Sequence, residues 1–362
     1  MVWRKPLSGR SLAGLAATEQ YLLVADRDPL DSQDIFRCLR TSDGEEVWTL
    51  RYGARGNLDY GNAPRATPLI AGDLAYLYGA FGVLHCVKLA TGETVWKKDL
   101  LREFGGRDAA NHWGAAASPL VADGKLICNP GGPAASVVAL DPKTGDVVWK
   151  TPGERAAFAS FIVGELGGRR QLVGYEKTAL CGYDLATGAR LWRLVPKRPN
   201  DFNVPTPLVV LGKLLVTTEN NGTRLYEFDR EGRIVATPVA TNDDLAPDTH
   251  TPVALGARVF GVWAGLHCLD AQRGLETVWS SQDPAYDDYA VILAAGDRLL
   301  VVSKFGELLL VDAAADQYRL VSRLAVFMND PGVYAHPAIL GTRLFLRGSE
   351  EVLCLELAPQ AR

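Results

Sequence analysis

The stretch Leu140-Asp141-Pro142-Lys143-Thr144-Gly145-Asp146-Val147-Val148-Trp149 decides the fold of this chain. Its Asp side chain can accept hydrogen bonds from the loop amides that follow, and Gly145 supplies a residue that tolerates positive φ. Aliphatic and β-branched residues flank this turn, as they do in antiparallel strands. We therefore predict a hairpin whose second strand carries Trp149, which can pack against a neighbouring unit and donate its indole N–H.

This turn followed by tryptophan occurs five times along the chain. The copies end at Trp48, Trp96, Trp149, Trp192 and Trp279. Spacings are 43–53 residues, and the double gap before Trp279 contains a degenerate copy in which Ala236 holds the Trp position. A second marker, Ser or Thr followed by Pro and aliphatic residues, occurs at Thr67-Pro68, Ser118-Pro119, Thr206-Pro207 and Thr251-Pro252. Short hydrophobic runs between these markers predict four antiparallel strands in each unit.

A period of about 45 residues built from four strands is typical of a β-propeller blade. This period divides the 362 residues into eight units. Trp3 then lies in the outer strand of the last blade, so residues 1–8 complete that blade together with residues 336–358, which protects the sheet edges. We predict an all-β fold, an eight-bladed β-propeller of four-stranded antiparallel blades closed by the N-terminal strand. Residues 1–362 would form one domain, because uniform spacing leaves no linker for a two-domain β-sandwich.

Composition is that of an ordinary globular chain, with 48% hydrophobic and 22% charged residues. The 38 basic and 42 acidic side chains give a net charge of −4, which disfavours nucleic acid as a partner. Hydrophobic runs are far shorter than the roughly 20 residues of a membrane-spanning helix, so no integral membrane segment is expected. We expect a monomer.

The six cysteines show no zinc or redox spacing, since neither a CxxC motif nor an adjacent pair occurs. They are Cys38, Cys86, Cys128, Cys181, Cys268 and Cys354. Five of them, all except Cys128, share a place near the turn Asp, where a small buried residue fits. His85 and His267 stand beside two of these cysteines. We interpret all of these as packing residues and predict no metal site.

The Leu-Asp-x-x-Thr-Gly-x-x-x-Trp pattern, clearest in residues 140–149 and 183–192, resembles the PQQ-like propeller repeat. This family includes the quinoprotein alcohol dehydrogenases and the BamB-like assembly factors, both eight-bladed. Gly79-Ala80-Phe81-Gly82-Val83-Leu84-His85-Cys86 and Asn129-Pro130-Gly131-Gly132-Pro133-Ala134 are also similar to BamB-type propeller proteins abundant in planctomycetes and related bacteria. The resemblance covers essentially the whole chain and implies the fold. It does not select a function, because the Trp and Gly are structural in every member.

Candidate ligand-binding residues lie in the loops that lead into the innermost strands, which in a propeller gather around the central funnel. They form a mixed polar and aromatic set: Asp59, Tyr60, Asn62, Arg65, His112, Trp113, Asn203, Asp248, His250, Asp288, Tyr289, Tyr334 and His336. The three histidines among them belong to units three, six and eight, which disfavours a shared metal site.

The leading interpretation is a non-catalytic binding or scaffolding propeller that holds a protein segment or a small ligand on this loop-lined face. Long loops at residues 51–65 and 100–114, which mix charged and aromatic residues, favour it. Two alternatives stay open. One is a PQQ-dependent alcohol dehydrogenase, in which Trp113 or Trp263 would stack on the quinone and Asp59, Asp248 or Asp288 would act as base. The other is a carbohydrate-binding or carbohydrate-processing propeller that uses the same aromatic and acidic residues.

No catalytic motif selects the enzyme alternative. Quinoprotein dehydrogenases of the family have an adjacent-cysteine disulfide against PQQ, and no two cysteines are adjacent here. GxSxG, HExxH and phosphate-loop patterns are also missing from the sequence. We therefore expect no cofactor, and PQQ with calcium stays open only with the dehydrogenase alternative, without a motif that supports it. Relatives are generally exported, which implies a periplasmic protein if a leader was removed, whereas the chain taken as given has no signal peptide and would be cytoplasmic.

Overall fold

The computed structural model describes residues 1–106, 112–328, 330 and 332–358, and its regular structure is almost entirely β-strand. The chain begins with β1 (Trp3–Pro6). Blade 1 consists of β2 (Ala16–Ala17), β3 (Tyr21–Arg27), β4 (Gln33–Arg40) and β5 (Glu46–Gly53). Blade 2 consists of β6 (Leu69–Ala71), β7 (Leu74–Tyr78), β8 (Val83–Lys88) and β9 (Thr94–Asp99), and the short helix α1 (Leu100–Glu103) follows it. Blade 3 consists of β10 (Leu120–Ala122), β11 (Lys125–Cys128), β12 (Val137–Leu140) and β13 (Val147–Thr151).

The remaining blades repeat this order. Blade 4 consists of β14 (Ile162–Leu166), β15 (Arg169–Tyr175), β16 (Leu180–Tyr183) and β17 (Arg190–Leu194); blade 5 of β18 (Leu208–Val210), β19 (Lys213–Thr218), β20 (Gly222–Tyr226) and β21 (Ala240–Asn242). Blade 6 consists of β22 (Val253–Leu255), β23 (Arg258–Val262), β24 (Leu266–Asp270) and β25 (Glu276–Ser281); blade 7 of β26 (Ala290–Ala295), β27 (Arg298–Ser303), β28 (Glu307–Asp312) and β29 (Leu320–Ala325). A 3-10 turn (Pro284–Tyr286) lies between blades 6 and 7. Blade 8 consists of β30 (Ala338–Leu340), β31 (Arg343–Arg347), β32 (Glu351–Glu356) and the N-terminal β1.

Every sheet has four antiparallel strands, and β1 pairs with β32 so that Trp3 lies opposite Cys354. The predicted eight-bladed β-propeller, with its N-terminal strand completing the last blade, is confirmed. The chain divides into two compact units, Met1–Pro152 with Pro331–Arg362, and Gly153–Asp330. The first unit holds blades 1–3 and 8, and the second holds blades 4–7. That residues 1–362 form a single domain stays a prediction.

The repeat tryptophans lie opposite small residues of the third strand. The pairs are Cys38 with Trp48, Cys86 with Trp96, Ala139 with Trp149, Gly182 with Trp192, Cys268 with Trp279 and Cys354 with Trp3. A Cβ atom on Gly182 would lie 2.2 Å from the indole of Trp192, so a larger residue does not fit there. Blade 7 reverses the pair, with Leu310 opposite Ser322. The predicted packing role of the cysteines agrees with this geometry, since all six are buried with free thiols.

The turn glycines receive the tryptophan of the preceding blade. A Cβ atom on Gly92 would lie 2.6 Å from the ring of Trp48, whose indole N–H donates to the carbonyl of Leu89 at 2.7 Å. Gly44 in blade 1 receives Trp3 in the same way, and Gly145 in blade 3 receives Trp96. The glycine is therefore required both by its positive φ and by the ring that lies on it.

Blade 7 has no turn glycine, and Tyr318 contacts the tryptophan of blade 6 instead. The indole of Trp279 donates to the carbonyl of Ala315 at 3.1 Å, and its ring meets Tyr318 edge-on at 5.8 Å. The hydroxyl of Tyr318 lies 3.2 Å from that of Tyr286. An aromatic residue thus replaces the glycine as the contact surface for the incoming ring.

Candidate functional site

All thirteen candidate residues lie in the connections between consecutive blades. In the first unit these are Asp59, Tyr60, Asn62 and Arg65 between β5 and β6, His112 and Trp113 between β9 and β10, and Tyr334 and His336 before β30. In the second unit they are Asn203 before β18, Asp248 and His250 before β22, and Asp288 and Tyr289 before β26. Because the strands of a blade alternate in direction, these connections leave from the same end of the sheet as the turn between its second and third strands. We call this the connection end of a blade.

In the first unit, a buried arginine holds the connection after blade 1 in place. Arg27 forms ion pairs with Asp34 at 2.6 Å and with Asp31 at 2.7 Å, and it donates to the carbonyl of Ala54 at 2.6 Å. Asn62, also buried, donates its amide to Asp31 and accepts from the amide N–H of residue 58. These bonds tie the turn of blade 1 to the loop that carries the candidate residues.

Asp34 is the acidic centre of this network. Its side chain is fully buried, and it accepts hydrogen bonds from Arg27 and from the hydroxyl of Tyr52 at 2.9 Å. Burial raises the pKa of Asp34 to about 6, although Tyr52 and Arg27 favour the ionised form. Both carboxylate oxygens of Asp34 are bonded within the protein, Oδ1 by Arg27 and Oδ2 by Tyr52, so Asp34 positions the loop.

This carboxyl should give the fold a pH dependence that Asp34→Asn removes. In the unfolded chain Asp34 ionises near pH 4, whereas in the fold it keeps its proton up to about pH 6. Stability contributed by Asp34 is therefore present at low pH and is lost as pH rises from about 4 to 6, by up to about 3 kcal/mol. Urea unfolding of both proteins between pH 4 and 7 measures this, and a pH-independent difference between them would contradict it.

Exposed Tyr60 and half-buried Trp113 form an aromatic pair at the connection ends of blades 1 and 2. Tyr60 is 79% exposed and has a φ of 63°, and its ring centroid lies 6.4 Å from that of Trp113, with the planes tilted by 59°. The amide of Asp59 donates to the carbonyl of His112 at 2.9 Å, which links the two loops. Both rings are therefore displayed on connections that are tied to each other.

Arg65 stabilises this loop through hydrogen bonds to its backbone. Its guanidinium donates to the carbonyls of Asp59, Gly61 and Ala63 at 2.6–2.8 Å. Burial lowers the pKa of Arg65 to about 10, against the attraction of Asp34 and Asp59. Arg65 thus acts on the backbone of the loop that presents Tyr60.

The other first-unit candidates lie before blade 8. The carbonyl of His336 accepts from the amide of Leu15 at 2.9 Å, and the surrounding protein lowers the pKa of the His336 ring by desolvation. Tyr334 is half-buried. The side chains of His336 and of His112, which precedes Trp113, are both exposed.

In the second unit, two of the five candidates face the protein interior. His250 is buried, and its Nδ1 lies 2.6 Å from the carbonyl of Ala290, to which it donates. Asn203 is buried and donates to the carbonyl of Lys177 at 3.0 Å. Both side chains brace connections between blades.

The other three candidates of the second unit are more accessible. Asp288 is exposed and forms an ion pair with Lys304, whose amide also donates to the carbonyl of Tyr289 at 2.9 Å. Asp248 is half-buried and accepts from the hydroxyl of Thr249 at 3.0 Å. The contacts of Lys304 link the connection before blade 7 to the turn between β27 and β28.

Exposed hydrophobic side chains at the connection ends were missing from the candidate set. The first unit presents Leu30 at 86% exposure, and the second presents Phe202 at 45%, Trp263 at 38%, Phe305 at 51% and Met328 at 73%. Of these residues, the sequence predicts a role only for Trp263, that of stacking on the quinone in the dehydrogenase alternative. The signal for the others is a large apolar residue inside a polar or glycine-containing turn, as in Asp28-Pro29-Leu30-Asp31 and Lys304-Phe305-Gly306.

The two long loops are shorter than the sequence suggests. Residues 51–53 belong to β5, and residues 100–103 form α1, in which the amide of Arg102 donates to the capping side chain of Asp99. Residues 107–111 of the second predicted loop lie outside the described residues. A cavity of about 630 Å³ in the first unit, lined by residues such as Gln20, Asp73 and Lys88, contains none of the candidate residues.

A calcium–quinone site needs a set of carboxylate ligands. Among residues 1–106, 112–328, 330 and 332–358, no group of three His, Cys, Asp or Glu side chains is placed to hold a metal ion. Within the same part of the chain, no helix is long and apolar enough to span a membrane.

The chain is similar to a BamB protein and to a quinohemoprotein dehydrogenase, and one family model matches it. The model of the family described as "Outer membrane protein assembly factor BamB" matches residues 32–281. Outer membrane protein assembly factor BamB of Shewanella oneidensis is 26% identical over 248 residues, which are 62% of this chain and 57% of that protein. Quinohemoprotein alcohol dehydrogenase of Comamonas testosteroni is 26% identical over 159 residues, 38% of this chain and 20% of the enzyme. The match thus spans little more than half of the first relative and a fifth of the second.

The solved structure of BamB from Moraxella catarrhalis superimposes with a TM-score of 0.67 at 18% identity, covering 97% of both chains. At this identity the likeness shows the fold alone. The likeness to planctomycete proteins stays a prediction.

Proposed function

Because this chain belongs to the family of outer membrane protein assembly factor BamB, we propose that it is a non-catalytic scaffold that holds a segment of a partner protein at the connection ends of its blades. The observation that carries this proposal is the set of exposed hydrophobic side chains on hydrogen-bonded turns. Exposed aromatic residues held in fixed positions are the usual anchors of protein interfaces. We propose a monomer without PQQ or calcium, exported to the periplasm.

Phe202 shows how firmly such an anchor is held. Its amide donates to Glu219 at 2.6 Å, and the preceding Asp201 accepts from the amide of Asn220 at 2.9 Å and from the side chain of Asn221. The loop before blade 5 is thus fastened to the turn between β19 and β20. A loop ordered before binding loses less conformational entropy on association, which favours affinity.

A triple variant tests this surface. Phe202→Ser, Trp263→Ser and Phe305→Ser together should reduce partner capture at least about tenfold, because each replaces an exposed anchor by a small polar residue. The measurement uses the immobilised protein as bait in periplasmic extract of the source bacterium, with quantitation of the retained proteins.

The matched control changes three residues of the second unit with similar exposure that lie away from the connection ends. These are Leu211→Ser, Val235→Ser and Val321→Ser, at 46%, 42% and 47% exposure. This control should retain the partner. Equal loss in both triple variants, or equal retention, would contradict the proposal.

A second candidate function is carbohydrate binding, favoured by the tilted Tyr60–Trp113 pair. The dehydrogenase alternative has weaker support, since the relative that suggests it matches 38% of this chain. Titration with PQQ and calcium, followed by quinone absorbance and dye-linked alcohol oxidation, decides it: saturable binding with turnover would replace the scaffold proposal.

A further inference from the structure

Arg224, in β20 of blade 5, is a buried cation without an ion pair among the described residues. It is 7% exposed, and one terminal nitrogen donates to the hydroxyl of Thr218 at 2.7 Å. Its Nε is buried and has no partner in the described part of the chain. A guanidinium removed from water without enough acceptors is strongly unfavourable, so a group from outside the chain is expected to supply one.

Tyr175 supplies a second unsatisfied donor on the same side of blade 5. Val216 and Tyr226 pack with Tyr175 in one hydrophobic cluster, and alternation along the two strands places Thr218 and Arg224 on that side too. The hydroxyl of Tyr175 is buried without a partner among the described residues. Burial raises its pKa, although Arg224 acts in the opposite direction, so the hydroxyl stays a neutral donor.

Two acceptor atoms without partners among the described residues lie at the connection end of blade 5, on Glu219 and Asn203. Glu219 directly follows Thr218; its Oε1 accepts from the amide of Phe202, while its Oε2 is buried with no partner in the described residues. The Oδ1 atom of buried Asn203 also has no hydrogen-bond partner among the described residues. Burial raises the pKa of Glu219, and the negative charge of Asp201 adds to this effect, so a cation beside this carboxyl would be stabilised.

A ligand that carries only a positive or only a negative charge does not match both Arg224 and Glu219. A simple anion beside Arg224 would be repelled by Glu219 and Asp201, and a simple cation beside Glu219 would be repelled by Arg224. We propose that the connection ends of blades 4 and 5 bind a free α-amino acid, its carboxylate on Arg224 and Tyr175 and its ammonium on Glu219 and Asn203. This small-molecule site goes beyond the proposed protein scaffold and does not depend on it.

Calorimetric titration of the purified full chain tests the site, with glycine and L-alanine as probes and with acetate and methylammonium as single-charge controls. We expect saturable binding of the amino acids and a higher melting temperature in their presence, with much weaker effects of acetate and methylammonium. Arg224→Met should weaken amino acid binding roughly 10- to 100-fold, because it removes a charge-assisted hydrogen bond. Arg233→Met, which changes an exposed arginine of the same blade, should leave binding unchanged.

If Arg224→Met does not fold, the variants Glu219→Gln and Tyr175→Phe test the amino acid site instead. Each removes one charge or one hydroxyl and keeps the shape of the side chain. Glu219→Gln should weaken amino acid binding while leaving the weak effect of acetate in place or increasing it. If the wild-type chain shows no saturable binding, only water occupies the site and the proposal is overturned. Unchanged affinity in both of these variants overturns it as well.

Discussion

Arg347→Met is expected to lower the free energy of unfolding by about 3–5 kcal/mol, because it removes one partner from a buried charge network. Arg347 is 1% exposed at the end of β31. Its guanidinium donates to the carbonyls of Gly9 at 2.8 Å, Ser11 at 3.1 Å and Gly348 at 3.0 Å. It also lies 4.0 Å from the carboxylate of Asp26. One side chain thus joins blade 8 to the segment that leads from β1 into blade 1.

Asp26 makes this loss larger than that of a few carbonyl bonds. It is fully buried and accepts from the amides of Ser8 and Gly9 at 2.9–3.0 Å and from Arg37 at 2.9 Å. Without Arg347, the carboxylate would lose one of its two neighbouring cations in a region that water does not reach. A buried charge that loses its compensation destabilises the fold more than an exposed one does.

Arg343→Met is the matched control, since Arg343 lies on the same strand and, within the described part of the chain, makes one 3.3 Å bond, to the carbonyl of Thr41. We expect its substitution to change stability by less than about 1 kcal/mol. Urea unfolding followed by circular dichroism measures both variants. Equal destabilisation by the two variants would show that the network around Asp26 contributes little.

The repeat could be predicted from sequence because its cause is local. A turn residue that accepts loop amides, a glycine with positive φ and a tryptophan in the next strand all lie within ten residues of one another, as in residues 140–149. Arg347 has no such signal, because its partners Gly9 and Ser11 are more than 330 positions away in the sequence. An arginine at the end of a strand gives no sign of burial until the two chain ends are placed together.

The candidate site was predictable in position and less so in chemistry. Loops between blades were correctly located by counting strands, which placed Tyr60 and Trp113 on connections that the fold displays. His250 and Asn203 lie in equivalent loops but are buried, since burial depends on how neighbouring connections pack over them. Arg224 lies within a strand, where the alternating pattern gives no indication that it forms no ion pair with any described residue.

Gly92→Ala is expected to lower the free energy of unfolding by about 2–5 kcal/mol. Two effects add: an L-residue at a φ of 71° costs about 1–2 kcal/mol, and overpacking against a buried ring costs about 1–3 kcal/mol. The new Cβ would lie 2.6 Å from the ring of Trp48, which is held in place by its hydrogen bond to Leu89. Urea unfolding of the variant measures the total.

Gly274→Ala separates the two effects, because this turn glycine of blade 6 has a φ of 67° and open space around its Cβ position. The preceding blade 5 lacks the repeat tryptophan, so no ring lies on Gly274. Its substitution should therefore cost only the backbone strain, about 1–2 kcal/mol. Equal losses at Gly92 and Gly274 would mean that the tryptophan moves aside without cost.

A double-mutant cycle connects the glycine directly to the ring. If contact with Trp48 causes the additional loss, Gly92→Ala should cost only about 1–2 kcal/mol in a Trp48→Ala background, with the remainder appearing as coupling energy between the two sites. The same logic explains why turn glycine and tryptophan recur together in this repeat. Gly44, Gly92 and Gly145 each lie under the tryptophan of the blade before. Where blade 5 lost its tryptophan, only the conformation of the turn still requires Gly274.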